Sequence, residues 1–414
     1  MASFGVVLPY MKILAIETSC DDTGVAILEA RGRRASTGFK VLSNIVSSQQ
    51  IHANYGGVFP IMAKREHQRN LVPVLEEALG ESKLLIINDQ VSIINEKLKV
   101  LKKILEKEST LFESVKNFLE THEKPAVDYI AVTHGPGLEP CLHVGVNFAK
   151  ALSYFWNIPV IPVNHIEAHI AVNFLPKING NSKSEILNPK TNFPAVALVV
   201  SGGHTQLILV KKIGDYKIIG ETRDDAAGEC FDKAARILGL GYPGGPIISK
   251  IASQIKESSI ILPRPMMHSR DYGFSFSGLK TAVLYKVRDE HASPVVRTTG
   301  LSKKFIGEMC FAVQDAICDV LIKKTLDAAK DYKAKTIIVG GGVSANNELR
   351  KQFTKKTKGE NLNVIFPEKS LSTDNGLMVA VAGYFNRTLR RGSGQAKKIA
   401  WQKLSVNANL RVGT

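Results

Sequence analysis

His165 and His169 stand four residues apart in the stretch Asn164-His-Ile-Glu-Ala-His169. The stretch follows a short apolar run, Ile158–Val163, that reads as a strand. Asn164 then reads as the N-cap of a helix. On a helix, residues four apart share one face, one turn apart. That is how a helix offers two nitrogen ligands to a single metal ion. The same spacing also suits two unrelated histidines, one packed and one solvated. A second candidate is the polar turn Thr18–Gly24, whose backbone N–H groups and hydroxyls suit a phosphate. Asp21 and Asp22 in that turn favour a metal-bridged phosphate over a bare one, because carboxylates repel phosphate. An ordinary acidic hairpin turn is the alternative. A third lies in Asp224–Arg236, a helical pattern with Glu229, Asp232, Lys233 and Arg236. Asp232 can accept hydrogen bonds from ribose hydroxyls, or belong to an ion-paired surface. The loop Gly241–Pro246 lets backbone approach a ligand closely.

The elements that must position these residues repeat. Lys12–Ile16 and Val25–Leu28 read as strands around the turn at 18–24, and Ala195–Val200 and Gln206–Val210 read as strands around Ser201–Thr205. Tyr129–Thr133 is a strand, then a glycine turn at His134–Gly137, then a helix over Cys141–Trp156. Thr336–Val339, the turn Gly340–Asn346 and the helix after it copy that order. Strand–turn–strand followed by strand–glycine turn–helix, twice, predicts a duplicated α/β domain with a cleft between halves. We expect an N-terminal lobe over 12–175, a C-terminal lobe over 193–390 and a basic tail over 391–414, with a polar linker at Asn179–Asn192. Ile61–Leu75 reads as a basic amphipathic helix, with Lys64, Arg65, His67 and Arg69 on a solvated face. Residues 82–123 read as a lysine-rich helical insertion of one or two long helices. Asp271–Lys280 reads as an aromatic, serine-rich segment near the cleft. Ser372, Thr373 or Asp374 is placed to cap a helix over Leu377–Phe385.

Composition narrows the classes. The chain has 414 residues and a net charge of +16, from 54 basic and 38 acidic side chains, which points to a polyanionic partner. Its five cysteines form no C-x-x-C pair, so neither a disulfide framework nor a thiolate zinc site is expected. No apolar run has the length of a membrane span. Met1–Tyr10 lacks the basic n-region and small-residue cleavage site of a signal peptide.

Taken jointly and in order, Ile16–Thr23, His134–Gly137, Asn164–His169, Val200–Thr205, Asp224–Gly245, Gly340–Asn346 and Ser372–Gly376 resemble the universal tRNA threonylcarbamoyladenosine transferase family. Its bacterial members were once labelled O-sialoglycoprotein endopeptidases. The resemblance implies the duplicated actin/hexokinase/Hsp70-like (ASKHA) fold. It implies transfer of the threonylcarbamoyl group from threonylcarbamoyl-AMP to N6 of the adenosine just after the anticodon, in tRNAs reading codons that begin with A. It assigns one divalent metal ion, iron first and zinc or manganese as alternatives, to His165, His169 and Asp374. It assigns the adenylate to Val199, Val200, Ser201, Gly202, Gly203, Asp232, Gly245 and Asn346. Asp21 is our candidate for a polar or general-base role near the amine. The position where the archaeal and eukaryotic cytosolic branch carries an extra tyrosine ligand is Val199 here, so a three-residue site of the bacterial or organellar type is implied. With it come a cytoplasmic location in a bacterium, or a mitochondrial one in a eukaryote, and no membrane. TsaB-like and TsaE-like proteins of the same pathway, or a second copy, are the implied protein partners.

The rivals fit less well. Zinc peptidases put a glutamate directly beside a ligating histidine, whereas Glu167 sits midway between His165 and His169. A kinase or ATPase on the same fold leaves the histidines unexplained. A non-catalytic tRNA-binding assembly protein agrees with the charge but does not need the site.

Overall fold

The computed structural model describes residues 10–31, 38–88, 94–175, 186–187, 191–292, 300–389 and 400–413. Two sheets carry the chain. The first has the order β5-β4-β1-β2-β3-β6, from β1 (Met11–Glu17), β2 (Asp22–Arg31), β3 (Gly38–Ser48), β4 (Tyr129–Gly135), β5 (Val160–Asn164) and β6 (Ile186–Leu187). The second has the order β11-β10-β7-β8-β9, from β7 (Ala195–Val200), β8 (Thr205–Lys212), β9 (Asp215–Glu221), β10 (Thr336–Gly340) and β11 (Asn363–Ile365). In each, three strands form an antiparallel meander, a fourth joins the first of them in parallel and a fifth pairs in parallel with the fourth; β6 adds an antiparallel edge to the first sheet alone. The two sheets thus repeat one topology, the duplicated α/β arrangement that the sequence repeats predict.

The strands alternate with period two, but both faces are buried. Leu14, Ile16, Val25 and Ile27 face an outer core with α1 (Pro60–Glu81), α3 (Ser109–Thr121) and α4 (Glu139–Trp156). Val196, Leu198 and Val200 face a second outer core with α6 (Ala227–Ile237), α7 (Gly244–Ala252), α8 (Ser277–His291), α9 (Lys303–Asp331) and α10 (Asn347–Thr357). Between the sheets, Ile13, Ala15, Ala26 and Leu28 share a central core with Ala195, Ala197, Val199 and Ile208. Two helices fill that layer: α5 (His165–Ala171) and α11 (Gly376–Leu389).

That layer corrects the expected lobe boundary. α11 lies within 193–390 by sequence, yet it packs on β1, β2 and β5 of the first sheet. Its apolar surface needs a sheet, and the inner face of the first sheet takes it. The insertion folds as two short helices, α2 (Asn95–Ile104) and α3, rather than long ones. The basic tail also differs: over 400–413, Leu404 and Val412 are buried and Asn407 N donates to His134 O. Residues 390–399 lie outside the described residues, as does most of the expected linker; Ile186–Leu187 within it pair with β3. No helix among the described residues is long and apolar enough to cross a membrane.

Candidate metal centre and cleft

Asn164 ends β5 and caps α5: its Oδ1 accepts from Ile166 N at 2.9 Å and Glu167 N at 3.2 Å. The first turn of α5 therefore starts on His165 and turns His165 and His169 together, their ring centroids 4.6 Å apart. Asp374 arrives on the loop before α11. The expected alternative, that Asp374 caps this helix, does not hold. Asn375 Oδ1 accepts from Met378 N at 3.0 Å and Asn44 Oδ1 from Leu377 N at 3.2 Å. Asp374 Oδ1 instead lies 3.7 Å from His165 Nε2 and 3.1 Å from His169 Nε2. One ligand atom from each of the three residues lies within 4.8 Å of the others.

Glu17, at the end of β1, supports the constellation. It is fully buried, and its Oε2 lies 3.5 Å from His165 Nδ1. Thr133 Oγ1 donates to that oxygen at 2.6 Å, and Ser19 N donates to Oε1 at 2.6 Å. Ser19 Oγ is 3.1 Å from the same imidazole nitrogen. These groups engage Nδ1 and leave Nε2 facing Asp374. The glycine turn after β10 presses on the other histidine: a Cβ at Gly340 would lie 2.5 Å from His169 O.

Electrostatics call for a cation here. Burial opposes charge on His165, but the Asp374 and Glu17 carboxylates outweigh it and push its pKa up to about 9. Burial would likewise raise the Asp374 carboxyl, yet His165 and His169 hold it well below the usual carboxylate range. Asp22 is pushed up to about 7, by burial first and then by Asp374. Burial also raises Asp21, against a hydrogen bond from the Cys20 thiol. His169 Nδ1 is buried without a hydrogen-bond partner among the described residues, and Nε2 has only the Asp374 carboxylate oxygen beside it. Two imidazoles and a carboxylate gathered in a buried site fit a divalent metal ion.

His165 and Asp374 line a cleft of about 1750 Å³. Asp21 and Asp22 line it beside His165 and Asp374; Ser201, Gly202, Gly203, Asp232, Gly245 and Asn346 line it elsewhere. A Cβ at Gly202 or Gly203 would meet nothing within 4 Å, so the protein leaves that space open above the backbone. Asp232 Oδ1 accepts from Gly244 N at 2.7 Å, and burial raises its pKa against the N–H groups of Gly244 and Gly245. Val199 and Val200 do not line the cleft. Both side chains are fully buried in β7, on its inner and outer faces, because strand alternation sends them into the two cores. The side chain of Asn346 is engaged within the fold: Oδ1 caps α10 and Nδ2 donates to Gln314 Oε1.

The structure moves other expected features. Glu167 faces away from the histidines, and Asn386 Nδ2 donates to its Oε2 at 3.2 Å. Phe274 and Phe276 are buried in the second outer core, and Ser275 and Ser277 donate to Asp224, so Asp271–Lys280 braces the loop before α6. His67 is wholly buried rather than solvated: Nε2 donates to Cys20 O at 2.9 Å and Nδ1 accepts from Thr23 Oγ1 at 2.7 Å, tying α1 to the acidic turn. Sequence reasoning missed Glu17, Ser19, His67 and His204. His204 lines the cleft with its ring centroid 6.1 Å from that of His165, and burial, then the two neighbouring histidines, lowers its pKa to about 4.

Comparison with known proteins places the chain in a family. The family model described as tRNA N6-adenosine threonylcarbamoyltransferase matches residues 40–90 and 108–381. A protein of that name from Persephonella marina is 40% identical over 378 residues, covering 90% of each chain. One from Thermosipho africanus is 41% identical over 375 residues, covering 90% of this chain and 94% of its own. One from Geotalea uraniireducens is 36% identical over 407 residues, covering 98% of this chain and all of its own.

Proposed function

Since the chain belongs to the tRNA N6-adenosine threonylcarbamoyltransferase family, we propose that its cleft transfers a threonylcarbamoyl group from threonylcarbamoyl-AMP to N6 of the adenosine just after the anticodon. The observation that carries this reading is the buried His165–His169–Asp374 set, whose His165 and Asp374 line a cleft large enough for the adenylate and a tRNA base together.

The donor is a mixed anhydride and already activated, so no protein nucleophile is needed. The adenine N6 attacks the carbamoyl carbon, the new C–N bond forms, the C–O bond to phosphate breaks, and AMP departs with the electron pair. The protein's task is to orient two reactants and stabilise charge at the carbonyl. In our reading the open backbone of Ser201–Gly203, with Gly245, receives the adenylate phosphate and sugar, and Asp232 accepts from ribose hydroxyls. Asp21 takes the proton that N6 loses. Val199, Val200 and Asn346 shape the cleft from within the fold. His165, His169 and Asp374 would hold one divalent ion, with Glu17 and Ser19 fixing the His165 tautomer. When bound, such an ion supplies a Lewis acid for a carbonyl oxygen. Two nitrogens and one oxygen suit iron, zinc or manganese, and iron is our first choice.

A peptidase reading is disfavoured because Glu167 points away from the histidines towards Asn386. We place the protein in the cytoplasm, acting on tRNA with TsaB-like and TsaE-like partners or as a homodimer. Formation of the modified nucleoside on unmodified tRNA by the wild type, and its loss in His165→Ala, test the reading.

A further inference from the structure

The family match stops at residue 90 and resumes at 108. The gap contains α2, so this helix is an addition to the common pattern. Its sequence, NEKLKVLKKI, sorts by face. Leu101 is fully buried and Leu105, which follows the helix, nearly so. Lys99, Lys102 and Lys103 are exposed at i, i+3 and i+4, and Lys107 continues the series in the loop to α3. None of the four has a carboxylate within 4.0 Å among the described residues, although Glu96 and Glu106 are close in sequence. Glu96 and Glu106 stand one turn from these lysines, yet none of the four pairs with them among the described residues, and the three helical lysines leave the face with a net positive charge.

A groove of about 380 Å³ runs between α2 and α3. Lys99, Lys102 and Lys116 line it with Phe112 and a single acid, Glu113. The patch is joined to the cleft mouth. Lys64 Nζ donates to Lys107 O at 3.4 Å and pairs with Glu108 at 3.6 Å. Lys64 lies one helical turn after Pro60, just beyond Val58 in the cleft wall. Arg65, exposed on the same turn, adds a positive charge to α1.

We propose that the lysine face of α2, with its groove, grips the phosphate backbone of the tRNA whose adenosine enters the cleft. The inference rests on the transferase reading for the identity of the RNA. Unpaired lysines in a row, a net charge of +16 and continuity with the cleft mouth favour a polyanion there. Lysine contacts of this kind position the backbone without reading bases.

The test measures binding of the full-length chain to an unmodified tRNA transcript across a salt series. Replacing Lys99, Lys102 and Lys103 together by Ala is expected to weaken binding at least tenfold and to flatten the slope of log K against log salt by about 3. Replacing the same three by Arg is expected to restore both. Circular dichroism confirms folding, and these side chains are exposed. Equal affinity and slope in the Ala variant overturn the proposal, including in favour of an acidic protein partner on this face. The transferase reading fails separately, if the wild type binds tRNA but forms no modified nucleoside.

Discussion

Glu17 Oε2 lies 3.5 Å from His165 Nδ1, and the two side chains come from residues 148 positions apart that meet only because β1 and β5 flank β4. A carboxylate on the far nitrogen of a ligating imidazole fixes its tautomer and raises its basicity. Glu17→Gln keeps the shape but removes the charge. We expect it to weaken metal binding by about 10- to 100-fold, read by titrating iron, zinc or manganese into chelator-stripped protein. An unchanged affinity would show that Ser19 alone positions His165.

The loop before α11 separates stability from chemistry in adjacent residues. Asn375 is fully buried, caps the helix and donates to Leu371 O and Thr373 O. Asn375→Ala should cost about 1–3 kcal/mol of unfolding free energy. Asp374→Asn leaves those caps in place, so it should remove metal binding and transfer while the helix persists. Denaturant melts and metal titrations of both variants distinguish the roles.

His67 makes stability depend on pH. Burial lowers its pKa from 6.5 to about 4, outweighing the hydrogen bond to Cys20 O and the Glu17 charge, which raise it. Its unfolded form takes up a proton first as pH falls. The stabilisation is therefore complete above pH 6.5 and lost progressively from 6.5 towards 4. The full effect is about 3 kcal/mol. His67→Gln should flatten the pH dependence of unfolding free energy in that window; an identical profile would contradict the assignment.

The last residues clasp both sheets. Gly137 N donates to Ala408 O beside the cleft, while Val412 is buried in the central core and Arg411 reaches Glu221 at 2.8 Å. The exposed Arg411–Glu221 pair contributes little. Burial of Leu404 and Val412 contributes on the order of 4 kcal/mol together. A chain ending at residue 399 should unfold at markedly lower denaturant concentration, and an unchanged midpoint would mean the clasp is dispensable.

Much of this arrangement is readable without coordinates, for local reasons. The cap at Asn164, the pair of histidines on α5 and the twofold strand–turn–strand order follow from short-range spacing. What escapes is long-range. α11 is apolar on all sides over Gly376–Phe385, so its sequence fits either sheet and does not say that it crosses to the first. His67 sits among Lys64, Arg65 and Arg69, and that company hides a buried residue. Glu17 closes an apolar strand and looks like its polar end. Val199 and Val200 adjoin the open turn at Ser201–Gly203, but strand alternation buries both. Asp374 pairs with the histidines by family likeness alone, since a capping role explained it equally well until Asn375 and Asn44 were seen to fill that role.

We expect the His165–His169–Asp374 cleft to transfer threonylcarbamoyl to tRNA. The most direct measurement incubates the purified chain with threonylcarbamoyl-AMP and unmodified tRNA, supplies TsaB-like and TsaE-like partners, and quantifies the modified nucleoside by mass spectrometry. Wild type should form it, and His165→Ala and Asp374→Ala should each lose it by at least about a hundredfold. Undiminished product from either variant, or none from the wild type, would rule out transfer at this site.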